Sequence, residues 1–391
     1  MLIGIVGRTN TGKSTLFKAL TLAEVEIENR PFVTLKPNHG VGYVKINCVD
    51  KDFNLKCNAK EGYCLSNYRF VPVELLDVAG LIKDAHKGAG LGLEFLNDLS
   101  QADCLIEVID ISGGTNDKGE EVSDYSYDPR EDILMLEGEI DQWFFKILKK
   151  DWSNFIKKVE QEKKNLIKEI SIKFSGLKIK EEDVKEVLSG VDIKKWDDEN
   201  LLKFSSGLRR KSKPLIIACN KIDMDNGLEN FKRLKKEFKD HTLIPCSAES
   251  ELALREANKK GLIEYIPGEK NFKIIGKLNE KQEKGLEFIK KKVLDEISST
   301  GVQEVLNTAV FDLLRYIAVY PVANNKLEDK DGNVLPNVIL VPEGVTALEF
   351  ASRVHTDFSK NFIKAVDLKS KKIIGKESKL KNLDVVEIIT K

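Results

Sequence analysis

The sequence predicts an α/β fold, in which a mostly parallel sheet is interrupted by a helical insert and followed by a small C-terminal domain. Three observations carry this. Short apolar runs alternate with helical patterns in two separated blocks. The stretch between the blocks lacks strand signals. Beyond residue 313, short β-like runs are punctuated by Pro321, Pro336 and Pro342.

In the first block the apolar runs lie at residues 2–7, 70–78 and 104–111, and in the second at 214–219 and 243–246. Strands buried on both faces read as continuous apolar runs, as these do. The expected domains are residues 1–114 with 212–312, an insert at 115–211, and a C-terminal domain at 313–391. In the insert, Trp152, Ile156, Val159, Leu166 and Ile170 fall at steps of three or four, with Lys163 in the missing position. That spacing predicts one apolar stripe on a helix, as in a helical hairpin. In the tail, runs at 337–341 and 384–389 predict strands and 346–354 predicts a helix, an α+β unit with its own core.

Composition excludes several function classes. The 63 Lys and Arg balance 63 Asp and Glu, so no global charge draws the chain to nucleic acid or a membrane. Locally, residues 143–180 hold eleven Lys against four Asp or Glu, which reads either as a solvated helix face or as a basic arm for RNA phosphates. The run LRRKSK at 208–213 divides the same way. The N-terminus has no basic n-region, and no apolar run of about 18 residues occurs, so a cytoplasmic protein with no membrane partner is expected. Six cysteines without CxxC pairs, and only four histidines, read as reduced thiols. Cys48, Cys57 and Cys64 share one segment, which leaves a redox or metal role open.

The chemistry begins at residues 7–14, where Gly7, Arg8, Thr9, Asn10, Thr11, Gly12, Lys13 and Ser14 spell GxxxxGKS. The motif follows an apolar strand and precedes a helical run that includes Thr15, the context a phosphate-binding loop requires. Backbone N–H groups and the helix N-terminus face the phosphates, Lys13 reaches the β- and γ-phosphates, and the Ser14 hydroxyl is a Mg²⁺ ligand. Asp77 and Gly80 form DxxG at a strand end, with Asp77 placed to hold magnesium through water and the Gly80 amide to sense the γ-phosphate. Thr34, in a turn-rich stretch, is placed to complete the magnesium shell. Asn220, Lys221 and Asp223 form NKxD, in which the carboxylate accepts the two N–H groups that guanine offers and adenine does not. At Ser247 and Ala248 a backbone amide is placed to meet guanine O6.

The water-orienting group is open. Leu81 stands directly after DxxG and cannot position water. His86, in the glycine-rich stretch that follows, is a candidate catalytic residue beside Lys13, and an ordinary loop histidine is the competing reading. Asn10 is a candidate for holding K⁺ beside the phosphates, and Arg8 for an arginine finger.

The segments GRTNTGKSTLFKAL, RPFVTLKPNHG, DVAGLIKDAHKGAGLGLEFL, NKID and SAESELALREANKKGLIEYIPG together resemble the YchF subfamily of Obg-related P-loop GTPases, most of all its archaeal branch. VPEGVTALEFASRVHTDF, with Asp384, Val385 and Val386, resembles a TGS domain, a β-grasp module. The resemblance covers nearly the whole chain. It implies a P-loop GTPase domain bearing a helical insert, a C-terminal TGS-like β-grasp domain, Mg²⁺, and a ribosome or RNA partner. It also implies a translation-linked GTPase switch between GTP and GDP states, whose intrinsic activity is expected to be low because Leu81, not Gln, follows Gly80. Many subfamily members replace NKxD and favour ATP, whereas NKID is intact here. An ATPase, and an RNA- or ribosome-binding adaptor with nucleotide as a structural ligand, are the alternatives.

Overall fold

A computed structural model describes residues 1–22, 38–78, 95, 98–123, 125–189, 196–323, 326–329 and 331–391. β1 (Leu2–Gly7) lies in the middle of the main sheet, with Ile3, Ile5 and Val6 fully buried. It runs parallel to β4 (Tyr68–Asp77) on one side and β5 (Cys104–Asp110) on the other. β6 (Leu215–Asn220) and β7 (Thr242–Pro245) continue the parallel set, while β2 (His39–Asn47) forms an antiparallel edge against β4. The short β3 (Tyr63–Leu65) also pairs with β4, giving a seven-stranded sheet in the order β2-β4-β1-β5-β6-β7 with β3 beside it. Every residue of β5 is buried, as a strand covered by helices on both faces must be.

The register matters for the site. Ile5 pairs with Asp77, Gly7 with Val108, and Asp110 with Asn220. The carboxyl ends of five parallel strands therefore lie side by side, the end at which an open α/β sheet binds ligands. The helix α1 (Lys13–Thr21) springs from this end of β1.

Among the described residues, five α-helices separate β5 from β6: α2 (Arg130–Lys149), α3 (Trp152–Gln161), α4 (Leu166–Lys173), α5 (Glu181–Leu188) and α6 (Asp198–Ser212). The single striped helix expected across 152–170 is two helices. Lys163 takes a left-handed φ of 50°, and the Asn165 side chain caps α4 by accepting the Lys168 N–H. Each short helix turns its own apolar residues inward, and Trp152 meets Phe155, Phe174, Trp196 and Phe204. The basic run at 208–213 is largely absorbed by the fold. Arg209 is 3% exposed and paired with Glu137 and Asp141, at 2.9 and 2.7 Å. Lys213 donates to the carbonyls of Ser100 and Ala102, and Lys211 pairs with Glu186.

α7 (Gly227–Glu237) joins β6 to β7; after β7 come α8 (Ala248–Lys259), the hairpin of β8 (Ile263–Tyr265) and β9 (Phe272–Ile274), α9 (Glu280–Ile289) and α10 (Val302–Thr308). The C-terminal sheet, in the order β11-β10-β14-β12-β13, comprises β10 (Tyr316–Val322), β11 (Ile339–Pro342), β12 (Phe362–Asp367), β13 (Lys372–Ile374) and β14 (Val385–Thr390). One helix, Ala347–Val354, starts with a capping box of Thr346 and Glu349 and packs Phe350 onto this sheet. Alternation along β10 divides its side chains between two cores. Ile317 and Val319 face that helix, while Ala318 and Tyr320 join Val44, Ile46 and Leu306 of the main domain.

Candidate nucleotide-binding site

β1 ends at Gly7 because the chain passes against β5 there: a Cβ at Gly7 would stand 2.5 Å from the Val108 carbonyl. Gly12 closes the loop at φ 92°, and its added Cβ would stand 2.1 Å from Asn220 Nδ2. α1 then begins at Lys13 with no acidic residue in its first turn and no capping side chain. Its leading N–H groups and positive dipole end are thus left for an anion. The Lys13 ammonium reaches across to Asp77 Oδ1 at 2.5 Å, and the Ser14 hydroxyl is exposed beside it. A hydroxyl and a carboxylate at adjoining strand and helix ends are the hard oxygen donors Mg²⁺ prefers, so this pair fits that ion.

Asn220 binds the loops together. Its Nδ2 donates to the Thr11 carbonyl and its Oδ1 accepts the Ala248 N–H, both at 2.9 Å, in a side chain 3% exposed. Lys221, at a left-handed φ of 62°, donates to Asp110 Oδ2 at 2.8 Å and Thr115 Oγ1 at 3.2 Å. Asp223 follows on the same turn, half-buried, and has no hydrogen-bond or ion-pair partner among the described residues. Ser247 caps α8 through Ser250, and its own N–H goes to the Thr300 carbonyl at 2.9 Å. The amides of Ser247 and Ala248, expected to meet guanine O6, are both engaged inside the protein. Asn220 Oδ1 and the Thr300 carbonyl supply the acceptors.

Arg8 and Asn10 make contacts of their own within the protein. Arg8 is 6% exposed, paired with Asp132 at 2.8 Å and set against the Tyr127 ring. Its guanidinium is thus compensated inside the protein. Burial pushes the Asp132 carboxyl up to about 6, while Arg8 and the Tyr127 hydroxyl draw it back. Asn10 takes a left-handed φ of 63° and donates Nδ2 to the Gly119 carbonyl at 2.7 Å, which ties the loop after β5 to the phosphate loop. Gly119 itself packs on Thr9.

Thr34, Gly80, Leu81 and His86 lie outside the described residues. Sequence reasoning missed Asp110, which is 1% exposed and gathers Ser112, Thr115 and Lys221. Its signal was an acid closing a buried strand just before a Ser-Gly-Gly turn.

Family comparisons follow the same layout. Residues 2–137 match a family described as 50S ribosome-binding GTPase. Residues 218–324 match the Obg-like GTPase YGR210-like, G4 motif-containing domain, and residues 329–390 a TGS domain. An uncharacterised GTP-binding protein of Methanocaldococcus jannaschii is 45% identical, with 100% of this chain and 99% of that protein aligned. The chain belongs to the YchF group of Obg-like GTPases. A solved GTP-binding protein from Pyrococcus horikoshii superposes with a TM-score of 0.79 at 37% identity, covering 100% of both chains. The ribosome-binding ATPase YchF of Mycoplasma genitalium is 29% identical over 92% of this chain and 86% of that protein. In this YchF-group chain the matched regions hold both halves of the site, the phosphate loop in the first and NKID in the second.

Proposed function

We propose that this protein is a GTP-binding switch with slow intrinsic hydrolysis, working in the cytoplasm on the ribosome. Asp223 carries the base choice. It is a carboxylate unpaired among the described residues, on a turn fixed from behind by Asn220 and Lys221, and so is free to accept the N1 and 2-amino hydrogens of guanine. In this reading Gly7, Arg8, Thr9, Asn10, Thr11, Gly12, Lys13, Ser14 and Thr15 wrap the phosphates. Lys13 leaves Asp77 for the β- and γ-phosphates when nucleotide enters. Ser14, Thr34 and Asp77 hold Mg²⁺, which supplies positive charge where negative charge builds on the phosphoryl oxygens. The Gly80 amide senses the γ-phosphate, and loss of that group releases the segments of Thr34 and Gly80.

Slow turnover follows from Leu81, which offers no hydrogen bond to water. Water orientation then rests on His86, and added charge on K⁺ held near Asn10 or on the ribosome. The ribosomal partner is supported by the family description over residues 2–137 and by the C-terminal TGS match. Among the described residues no helix is long and apolar enough to cross a membrane.

One observation favours an ATPase instead: the Ser247 and Ala248 amides are already engaged, so O6 goes unread by them. The M. genitalium relative is likewise named an ATPase. Competition titration of GTP against ATP, with turnover measured in K⁺ and Na⁺ and with and without ribosomes, separates the readings. Preference for GTP and stimulation by ribosomes or K⁺ are expected. Equal or better binding of ATP overturns the guanine assignment, and fast turnover by the isolated protein in Na⁺ overturns the switch.

A further inference from the structure

At the far end of the sheet from the nucleotide site, three cysteines converge. Cys48 follows β2, Cys57 lies in the connecting loop, and Cys64 is in β3. Their sulfurs all lie within 4.8 Å of one another. A tetrahedral zinc with Zn–S bonds of about 2.3 Å holds its sulfurs roughly 3.8 Å apart, so closure needs side-chain adjustments on the order of 1 Å. The other cysteines, Cys104, Cys219 and Cys246, are fully buried elsewhere in the core.

The surroundings are built for negative charge on sulfur. Arg69 is fully buried and donates Nη1 to Cys57 Sγ at 3.0 Å. Its other partners are the carbonyls of Leu335, Glu61 and Pro336, at 3.0, 2.9 and 2.8 Å. Among the described residues it has no carboxylate partner, and a buried guanidinium held only by neutral acceptors calls for an anion. The nearby Asp50 carboxylate instead accepts the Lys51 and Cys57 amides. Tyr320 adds a second sign: it is fully buried beside Cys48, Arg69 and Cys57, and among the described residues its hydroxyl has no well-formed hydrogen-bond partner, with the Cys48 thiol within reach.

We propose that Cys48, Cys57 and Cys64 form a site for a thiophilic divalent cation, Zn²⁺ being the natural occupant. Three thiolates around a divalent ion leave one negative charge, which Arg69 cancels within contact distance. The Tyr320 hydroxyl donates to a metal-bound sulfur, the outer-shell bond such sites use. Water fills the fourth corner. Binding releases thiol protons to solvent and involves no change of oxidation state.

The location gives the site a consequence. The loop that carries Cys57 already lies on the C-terminal domain, with Asn58 N donating to the Val334 carbonyl and Lys60 N to that of Pro336, each at 3.0 Å. A metal here pins that loop and thereby fixes the C-terminal sheet against β2 and β4.

The test uses the full chain, stripped of metal and free of nucleotide, titrated with Co²⁺ under reducing conditions. About one equivalent should bind with thiolate-to-metal charge-transfer absorption and tetrahedral ligand-field bands, and Zn²⁺ should displace it. Co²⁺ at the phosphate site, which has only oxygen donors, gives no such absorption. Native alkylation read by mass spectrometry should modify Cys57 and Cys64 in the stripped protein and spare them with Zn²⁺. Cys64→Ser should weaken metal binding at least about 10-fold and leave binding of a GTP analogue unchanged. Absence of the charge-transfer absorption, or alkylation unaffected by Zn²⁺, overturns the proposal. So does a disulfide between two of the three thiols that forms on mild oxidation in protein unable to bind Co²⁺ when reduced.

Discussion

Lys13 Nζ lies 2.5 Å from Asp77 Oδ1, although 64 residues separate them in the chain. The pair is half-shielded, with side-chain exposures of 13% and 22%, so it keeps each charge compensated next to the phosphate loop. In the proposed switch, a triphosphate with its magnesium takes over both partners.

Asp77→Asn therefore removes the magnesium-dependent share of triphosphate binding more than the diphosphate share. The expected loss is about 1.5–3 kcal/mol, a 10- to 100-fold weaker Kd for a non-hydrolysable GTP analogue. Titrations with and without Mg²⁺ read it directly. If the variant keeps the full magnesium dependence, Asp77 is not a magnesium-site residue.

Gly12→Ala drives a methyl group to 2.1 Å from the Asn220 amide, at a backbone φ of 92°. Both contacts that Asn220 makes, to Thr11 and Ala248, should be disturbed together. Asn220→Ala leaves a buried carbonyl and a buried N–H unpaired, at about 1–3 kcal/mol each. Both variants should show a lower Tm and weakened binding of GTP and ATP alike. Loss confined to GTP would place Asn220 at the base alone, against its bond to the phosphate loop.

Asp223→Asn turns an acceptor pair into an amide that clashes with the guanine donors. GTP binding should weaken about 10- to 100-fold, and xanthosine triphosphate, with a carbonyl in place of the 2-amino group, should gain. Unchanged nucleotide preference would remove Asp223 from base recognition and favour the ATPase reading.

The buried Arg8–Asp132 pair predicts a pH dependence of stability. Burial holds the Asp132 carboxyl at about 6 against an ordinary 3.8, so the folded chain binds that proton more tightly than the unfolded chain. The contribution is fully present below about pH 4 and is lost as pH rises through 6. Asp132→Asn mimics the neutral form and does not titrate. The stability of the wild type relative to this variant should fall across that window by on the order of 3 kcal/mol. Parallel Tm curves for the two proteins between pH 4 and 7 would show that Asp132 ionises normally.

Much of the site was legible because its chemistry is local. GxxxxGKS, DxxG and NKxD each follow a strand that its apolar run announces, and the parallel register brings those strand ends together. Arg8 shows the limit. Its neighbours in sequence say phosphate, while its side chain answers to Asp132 and Tyr127, more than a hundred residues away. The insert shows the same limit at the level of elements, since helical spacing across 152–170 does not reveal the break at Lys163. That turn is set by packing of two short helices and by the Asn165 cap.

By itself, the sequence determined the α/β class, the order of the GxxxxGKS, DxxG and NKxD motifs, and the β-grasp character of the tail. Those features depend on residue type and short spacing, which a linear chain displays. Only the tertiary structure decided which donors are free. It engaged the Ser247 and Ala248 amides, left Asp223 unpaired among the described residues, paired Arg8 with Asp132, and brought Cys48, Cys57 and Cys64 together beneath Arg69. Hydrogen bonds and charge compensation are settled between groups distant in sequence, so they exist only once the sheet has set their distances.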